Sequence, residues 1–141
     1  MRFQVDSGWG ELPERRRFVE VAGVATDSRD RVFVFTRGET PIFIFDRDGR
    51  FQTSWGANLF VRPHGITIGP DDAVYITDDL DHTIRKFTPD GTLLMTLGTS
   101  GSPSDTGATS QDFRTIRRAG ALNYRSHGDR GCHGGRHSHL R

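Results

Sequence analysis

The chain has 141 residues, 19 Lys and Arg against 18 Asp and Glu, and 33% hydrophobic residues, the size of one modest domain with a near-neutral balance. A single Cys excludes an internal disulfide and a four-Cys zinc site, and no apolar run approaches the roughly 20 residues of a membrane span. The opening MRFQVDSGWGELPERRR has no apolar stretch of signal-peptide length, so a cytoplasmic location without membrane contact is expected.

Residues 1–20 read as an N-terminal flank, either a strand or a loop-like cover beside the first repeat. From there the chain repeats itself at an offset of 42 residues. Gly23, Val24, Val32 and Val34 recur as Gly65, Ile66, Val74 and Ile76. Ile42, Phe45, Asp48-Gly49, Phe51 and Gly56 recur as Ile84, Phe87, Asp90-Gly91, Leu93 and Gly98. One unit covers 21–62 and the next 63–104.

Each unit resolves into four strand-like runs. In the first they are GVATD, RVFVF, PIFIF and RFQTSWG; in the second, GITIG, AVYIT, TIRKF and TLLMTLG. Val32-Phe33-Val34 and Val74-Tyr75-Ile76 alternate β-branched and aromatic residues, which places the two kinds on opposite faces of a strand. Asp-Gly between the third and fourth runs supplies the positive φ of a tight hairpin. No window has a helical period. The fold class is therefore all-β, and four strands per repeat of this length is the signature of a β-propeller blade. A helical solenoid would need a 3.6-residue period, and a Greek-key sandwich would not give a uniform offset.

Two residues stand out chemically. Arg37 is either a solvated loop charge or a bidentate partner for a carboxylate. His64 follows Pro63 where the first repeat has Ala22, so the repeat itself does not demand an imidazole there. The Asp78, Asp79 and Asp81 cluster is read as loop solvation rather than a cation site. Phe33, Phe35, Phe43, Phe45, Tyr75 and Phe87 are read as packing between blades rather than a nucleic-acid stacking surface.

The run RPHGITIGPDDAVYITDDLDHTIRKFTPDGTLLMTLG resembles an NHL repeat of the six-bladed propellers. The segments VFVFTRGE and NLFVRPHGITI, in that order, are similar to two active-site segments of the peptidyl-α-hydroxyglycine α-amidating lyase branch and its bacterial relatives. The resemblance spans about residues 1–124. It implies a zinc enzyme that splits a hydroxyglycine-ended peptide into a peptide amide and glyoxylate, with calcium in the channel. By the same resemblance His64 is the first of three zinc-binding His, Arg37 is the substrate-side Arg, and the backbone carbonyls of Val24 and Ile66 face the calcium. The other two His belong to blades this stretch does not supply. One imidazole does not hold catalytic zinc, which needs three protein ligands. Zinc and calcium are thus expected in a full-length relative and not in this chain alone.

Residues 105–124 read as a loop toward a third blade, and 125–141 as a disordered Arg/Gly/His-rich tail. Residues 1–113 carry 12 basic and 17 acidic groups, whereas 114–141 carry 7 Arg and the lone Asp129. Three readings compete for the tail: an Arg/Gly arm for nucleic acid, a metal-binding tract using Cys132, His133, His137 and His139, and an out-of-frame translation of the next blade. Back-translated from Ser126 and read one nucleotide later, the tail permits Pro-Thr-Glu-Ile-Ala-Val-Ala-Thr-Glu-Gly-Asp-Ile-His-Ile-Ser, which aligns with Pro63–Thr77 in length and apolar pattern. The shifted frame is the reading adopted, and nucleic acid is then not a partner.

Two blades do not close a ring, so the chain is expected to be marginal as a monomer and to self-associate through open blade faces. Two functions stay open. One is a fragment of a lyase-like propeller, inactive by itself, whose full-length form takes a small peptide-like substrate. The other is a non-catalytic NHL scaffold for a protein or small ligand.

Overall fold

Apolar runs of four to six residues bounded by Asp, Gly and Pro extend as strands, because the turn residues close the chain back before a helix could form. The computed structural model describes residues 2–13 and 15–103. The expectations for the loop 105–124 and the tail 125–141 lie outside the described residues.

Eight strands follow in order: β1 Val21–Thr26, β2 Val32–Thr36, β3 Ile42–Phe45, β4 Phe51–Trp55, β5 Pro63–Ile68, β6 Val74–Asp78, β7 Thr83–Phe87 and β8 Leu93–Leu97. They form two antiparallel four-stranded sheets, β1-β2-β3-β4 and β5-β6-β7-β8, with neighbours in sequence paired throughout each sheet. No helix occurs among the described residues. The all-β, two-blade expectation holds.

The repeat extends to backbone detail. Register shifts fall between Val21 and Gly23 and again between Pro63 and Gly65. A second pair falls between Ile44 and Phe45 and between Lys86 and Phe87. In the β3–β4 and β7–β8 loops, Gly49 (φ 84°) and Gly91 (φ 94°) take the left-handed position, as the Asp-Gly pairs require. Asp30 (φ 59°) and Asp72 (φ 58°) do so in the β1–β2 and β5–β6 turns, where the short side chain tolerates it.

The main core lies between the sheets. Phe33, Phe35, Ile42 and Ile44 of the first meet Val74, Ile76 and Phe87 of the second, with Trp55, Phe60, Ile66 and Ile68 at its margin. A second cluster, Val34, Phe43 and Phe45, lies on the outer face of the first blade under Trp9 and Leu12. Phe18 stands edge-on to Phe43 at 5.6 Å. The flank is therefore a cover rather than a strand.

The aromatics divide accordingly. Phe33, Phe35 and Phe87 pack between blades, whereas Phe43 and Phe45 face the N-terminal cover. Tyr75 lies opposite Lys86 in the ladder, on the far face of the second blade, with the ammonium 5.2 Å from its ring centroid. The β-branched face of each blade looks back along the chain, and the aromatic face of β2 looks forward.

Candidate functional site

Arg37 leaves the end of β2, and its backbone N–H donates to Val19 O at 2.9 Å. Its guanidinium donates from Nη1 to the Glu20 carboxylate at 3.0 Å and from Nε to Pro63 O at 3.1 Å. Pro63 opens β5 and immediately precedes His64. The two site candidates, 27 positions apart in sequence, are thus tied to one edge of the blade pair. His64 is 62% exposed, and its Nδ1 lies 3.7 Å from Asp79 Oδ2.

The acidic residues around this edge are structural, and the loop-solvation expectation fails for two of them. Asp78 and Asp81 are buried at 2% and 3% exposure. The Asp78 carboxylate accepts the backbone N–H groups of Val61 (2.6 Å), Arg62 (2.9 Å) and Asp81 (3.1 Å). It pins the inter-blade segment just ahead of His64, and three donors offset the cost of burying the charge. Asp81 accepts from Thr83 at 2.8 Å and also bonds Arg85 and Ser100. Ser100 is the first cause holding its carboxyl below the ordinary range.

Asp79 faces solvent and pairs with Arg62 through both guanidinium nitrogens, Nε at 2.7 Å and Nη2. The Arg62 hydrogen bond holds the Asp79 carboxyl down to about 2, and the same pairing raises the guanidinium. Glu20, Arg62 and Asp79 are therefore the charged neighbours of the candidate pair; Glu20 lies outside the motifs, and the motifs do not reveal that Arg62 and Asp79 pair. The Asp-Asp step at 78–79 is a visible signal in the sequence, but it does not tell which carboxylate is buried.

Val24 and Ile66 sit on β1 and β5, the two strands in closest contact between the sheets. A Cβ on Gly23 would stand 3.1 Å from Ile66 Cγ2, so a glycine there lets the strands approach. The described residues contain no group of three or more His, Cys, Asp or Glu side chains able to hold a metal. His64 alone does not fit a catalytic zinc centre, and the nearest carboxylate, Asp79, is engaged by Arg62.

No family model matches the chain. Among curated proteins it is 39% identical over 70 residues to peptidyl-alpha-hydroxyglycine alpha-amidating lyase 1 of Drosophila melanogaster, covering 48% of the chain and 13% of that protein. It is 32% identical over 109 residues to human NHL repeat-containing protein 3, covering 70% of the chain and 31% of that protein. It is 30% identical over 112 residues to the rat peptidylglycine alpha-amidating monooxygenase, covering 60% of the chain and 11% of that protein. The chain therefore spans about a third or less of the length of these relatives. Two four-stranded sheets with one register, matched to relatives of both names, make it a two-blade stretch of an NHL-type β-propeller resembling the amidating-lyase group.

Proposed function

We propose that these two blades are part of a lyase-like NHL propeller acting on hydroxyglycine-ended peptides. In this reading Arg37 binds the substrate carboxylate and His64 supplies one of three imidazoles to zinc. The backbone carbonyls of Val24 and Ile66 face a calcium ion. The remaining ligands come from further polypeptide, and the six-bladed form belongs to the same reading.

The observation that supports it is the 3.1 Å hydrogen bond from Arg37 Nε to Pro63 O, which holds the arginine beside the residue preceding His64. A guanidinium held this way keeps its remaining N–H groups for a planar anion. Glu20 accepts from one Nη1 N–H, which leaves the second Nη1 N–H and both Nη2 N–H groups for a substrate carboxylate. Zinc, when bound, would polarise the hydroxyglycine oxygen. Arg37 fixes where that end of the peptide lies.

Glyoxylate release from a hydroxyglycine-ended peptide tests this reading. The expected result is no turnover by the 141-residue chain. Turnover is expected from the longer product read one nucleotide later from codon 126, and it is lost with chelator or in His64→Ala. Arg37→Ala there lowers kcat/KM roughly 10- to 100-fold, the worth of a charge-assisted hydrogen bond. A folded but inactive longer product would favour the second reading, a non-catalytic NHL scaffold for a protein or small ligand. That reading draws support from the NHL repeat-containing match, which covers more of the chain than the lyase match does.

A further inference from the structure

The offset of 42 residues carries an ion pair as well as strands. Glu20 and Arg37 recur as Arg62 and Asp79. In each blade one member stands just ahead of the first strand, β1 or β5, and the other just past the second, β2 or β6. In the first blade Arg37 Nη1 donates to Glu20 at 3.0 Å. In the second, Arg62 donates to Asp79 from Nε at 2.7 Å and from Nη2. The contact is kept while its polarity is reversed. A pair that only closed the blade edge would serve in either polarity, so the reversal points to what each second-strand member faces.

In the first blade that member is Arg37, which also reaches Pro63 O. In the second it is Asp79, whose Oδ2 lies 3.7 Å from Nδ1 of His64. His64 stands where the first blade has Ala22, so the carboxylate occurs in the blade that has an imidazole to face. Two guanidinium donors leave each Asp79 oxygen a further lone pair. No hydrogen bond to either His64 nitrogen competes with it among the described residues. The neighbouring Asp78 accepts the Arg62 N–H at 2.9 Å, so Arg62 is fixed at its backbone by one carboxylate and at its guanidinium by the next.

We propose that Asp79, aimed by Arg62, is a positioning residue for His64. A slight turn of the exposed imidazole brings Nδ1 within hydrogen-bond range of Oδ2. An ionised carboxylate only accepts, so the neutral ring carries its proton on Nδ1 and leaves the Nε2 lone pair free. In water a neutral histidine ring favours the opposite tautomer, so Asp79 reverses the choice. In the lyase reading that lone pair is the one offered to zinc. This consequence rests on that reading; the tautomer does not.

Nitrogen NMR of labelled histidine tests it in the full 141-residue chain, at a pH where the imidazole is neutral, with the His64 signal assigned by its loss in His64→Ala. The expected result is a predominant Nδ1–H form, which Asp79→Ala shifts toward Nε2–H by roughly fivefold or more, the worth of one hydrogen bond. Arg62→Gln shifts the ratio the same way by less, and Glu20→Ala, which opens the pair of the first blade, leaves it unchanged. A merely structural pair would move none of these ratios. An Nε2–H majority in the parent chain overturns the proposal without any variant having to fold. A ratio unmoved by Asp79→Ala, or moved as far by Glu20→Ala, overturns it too. In the longer product read one nucleotide later from codon 126, Asp79→Ala should lower kcat roughly 10-fold or more with KM little changed, because Arg37 holds the substrate carboxylate. A longer parent product that releases no glyoxylate sinks the lyase reading and leaves the tautomer result standing.

Discussion

The two blades share a backbone and differ in what they ask of their neighbours. The first turns Phe33, Phe35, Ile42 and Ile44 toward the second, and all four are essentially inaccessible to solvent. The same ladder positions in the second blade are Tyr75, Thr77, Ile84 and Lys86. Bulges, turns and positive-φ residues repeat because they are set by chain geometry. The side chains on a face vary because they answer to whatever packs there. A blade is therefore specified twice, once by its turns and once by its interface.

The sharpest way to break this contrast is to truncate equivalent positions. Phe35→Ala empties the centre of the inter-blade core and should cost about 3–5 kcal/mol, enough to threaten the folded state. Thr77→Ala should cost about 1 kcal/mol or less, since its hydroxyl makes only a 3.4 Å bond to Gly65 O. Thermal or urea unfolding of both variants checks this. Equal losses would mean that the two faces are equally packed.

Next in size is the buried carboxylate of the second blade. Thr36 holds the place in the first blade that Asp78 holds in the second, and its hydroxyl receives only the Gly38 N–H at 3.3 Å. Asp78→Ala strands the N–H groups of Val61, Arg62 and Asp81 and should cost about 2–3 kcal/mol. Amide exchange of Val61, Arg62 and His64 should quicken in the variant, because that carboxylate fixes the approach to His64. Unchanged exchange there would mean the segment is held by something else.

Acid should separate the blades in the same direction. Asp79 ionises at about 2 when folded against an ordinary value of 3.8, owing to Arg62, and Asp71 is lowered by Lys86. A depressed folded value means the stabilisation is complete above the ordinary value and is lost as pH falls through the folded one. The second blade should thus weaken from about pH 4 down to about 2. Asp79→Asn should flatten that part of the stability profile. An unaltered slope would show that the Arg62 pair contributes nothing in solution.

The repeat was legible because strands and turns obey local rules, and a fixed offset exposes both. The flank escaped the same comparison for a plain reason. Arg2-Phe3-Gln4, Trp9-Gly10 and Phe18 answer Arg50-Phe51-Gln52, Trp55-Gly56 and Phe60, but two extra residues precede Trp9 and four more precede Phe18, so no single offset aligns them. At the site, Arg37 and His64 came from short motifs; Arg62 lies in the same motif as His64 but nothing there announces its pairing with Asp79, and Glu20 lies outside both motifs. Burial of Asp78 was equally hidden, since two of its three donors arrive from the loop around Val61, far from it in sequence.

The smallest expected change in stability tests what the far face of the second blade is for. Lys86 occupies the position of Ile44, bonds Asp71 at 2.7 Å and lies over the Tyr75 ring. Its aliphatic stem covers apolar surface while the ammonium keeps a charge at the face. Replacing it by the residue of the first blade, Lys86→Ile, removes a salt bridge whose partner is half exposed, worth about 1 kcal/mol or less. The same change makes that face resemble the one that seeks a neighbour in the first blade. Beside it on the ladder lie Ile84, Met95 and Leu97, so the apolar surface becomes continuous. Sedimentation over a concentration series should show more self-association in Lys86→Ile than in the parent chain, at nearly unchanged melting temperature. If the variant associates no more than its parent, the polar residues on this face do not keep it from pairing, and the difference between the blades has another origin.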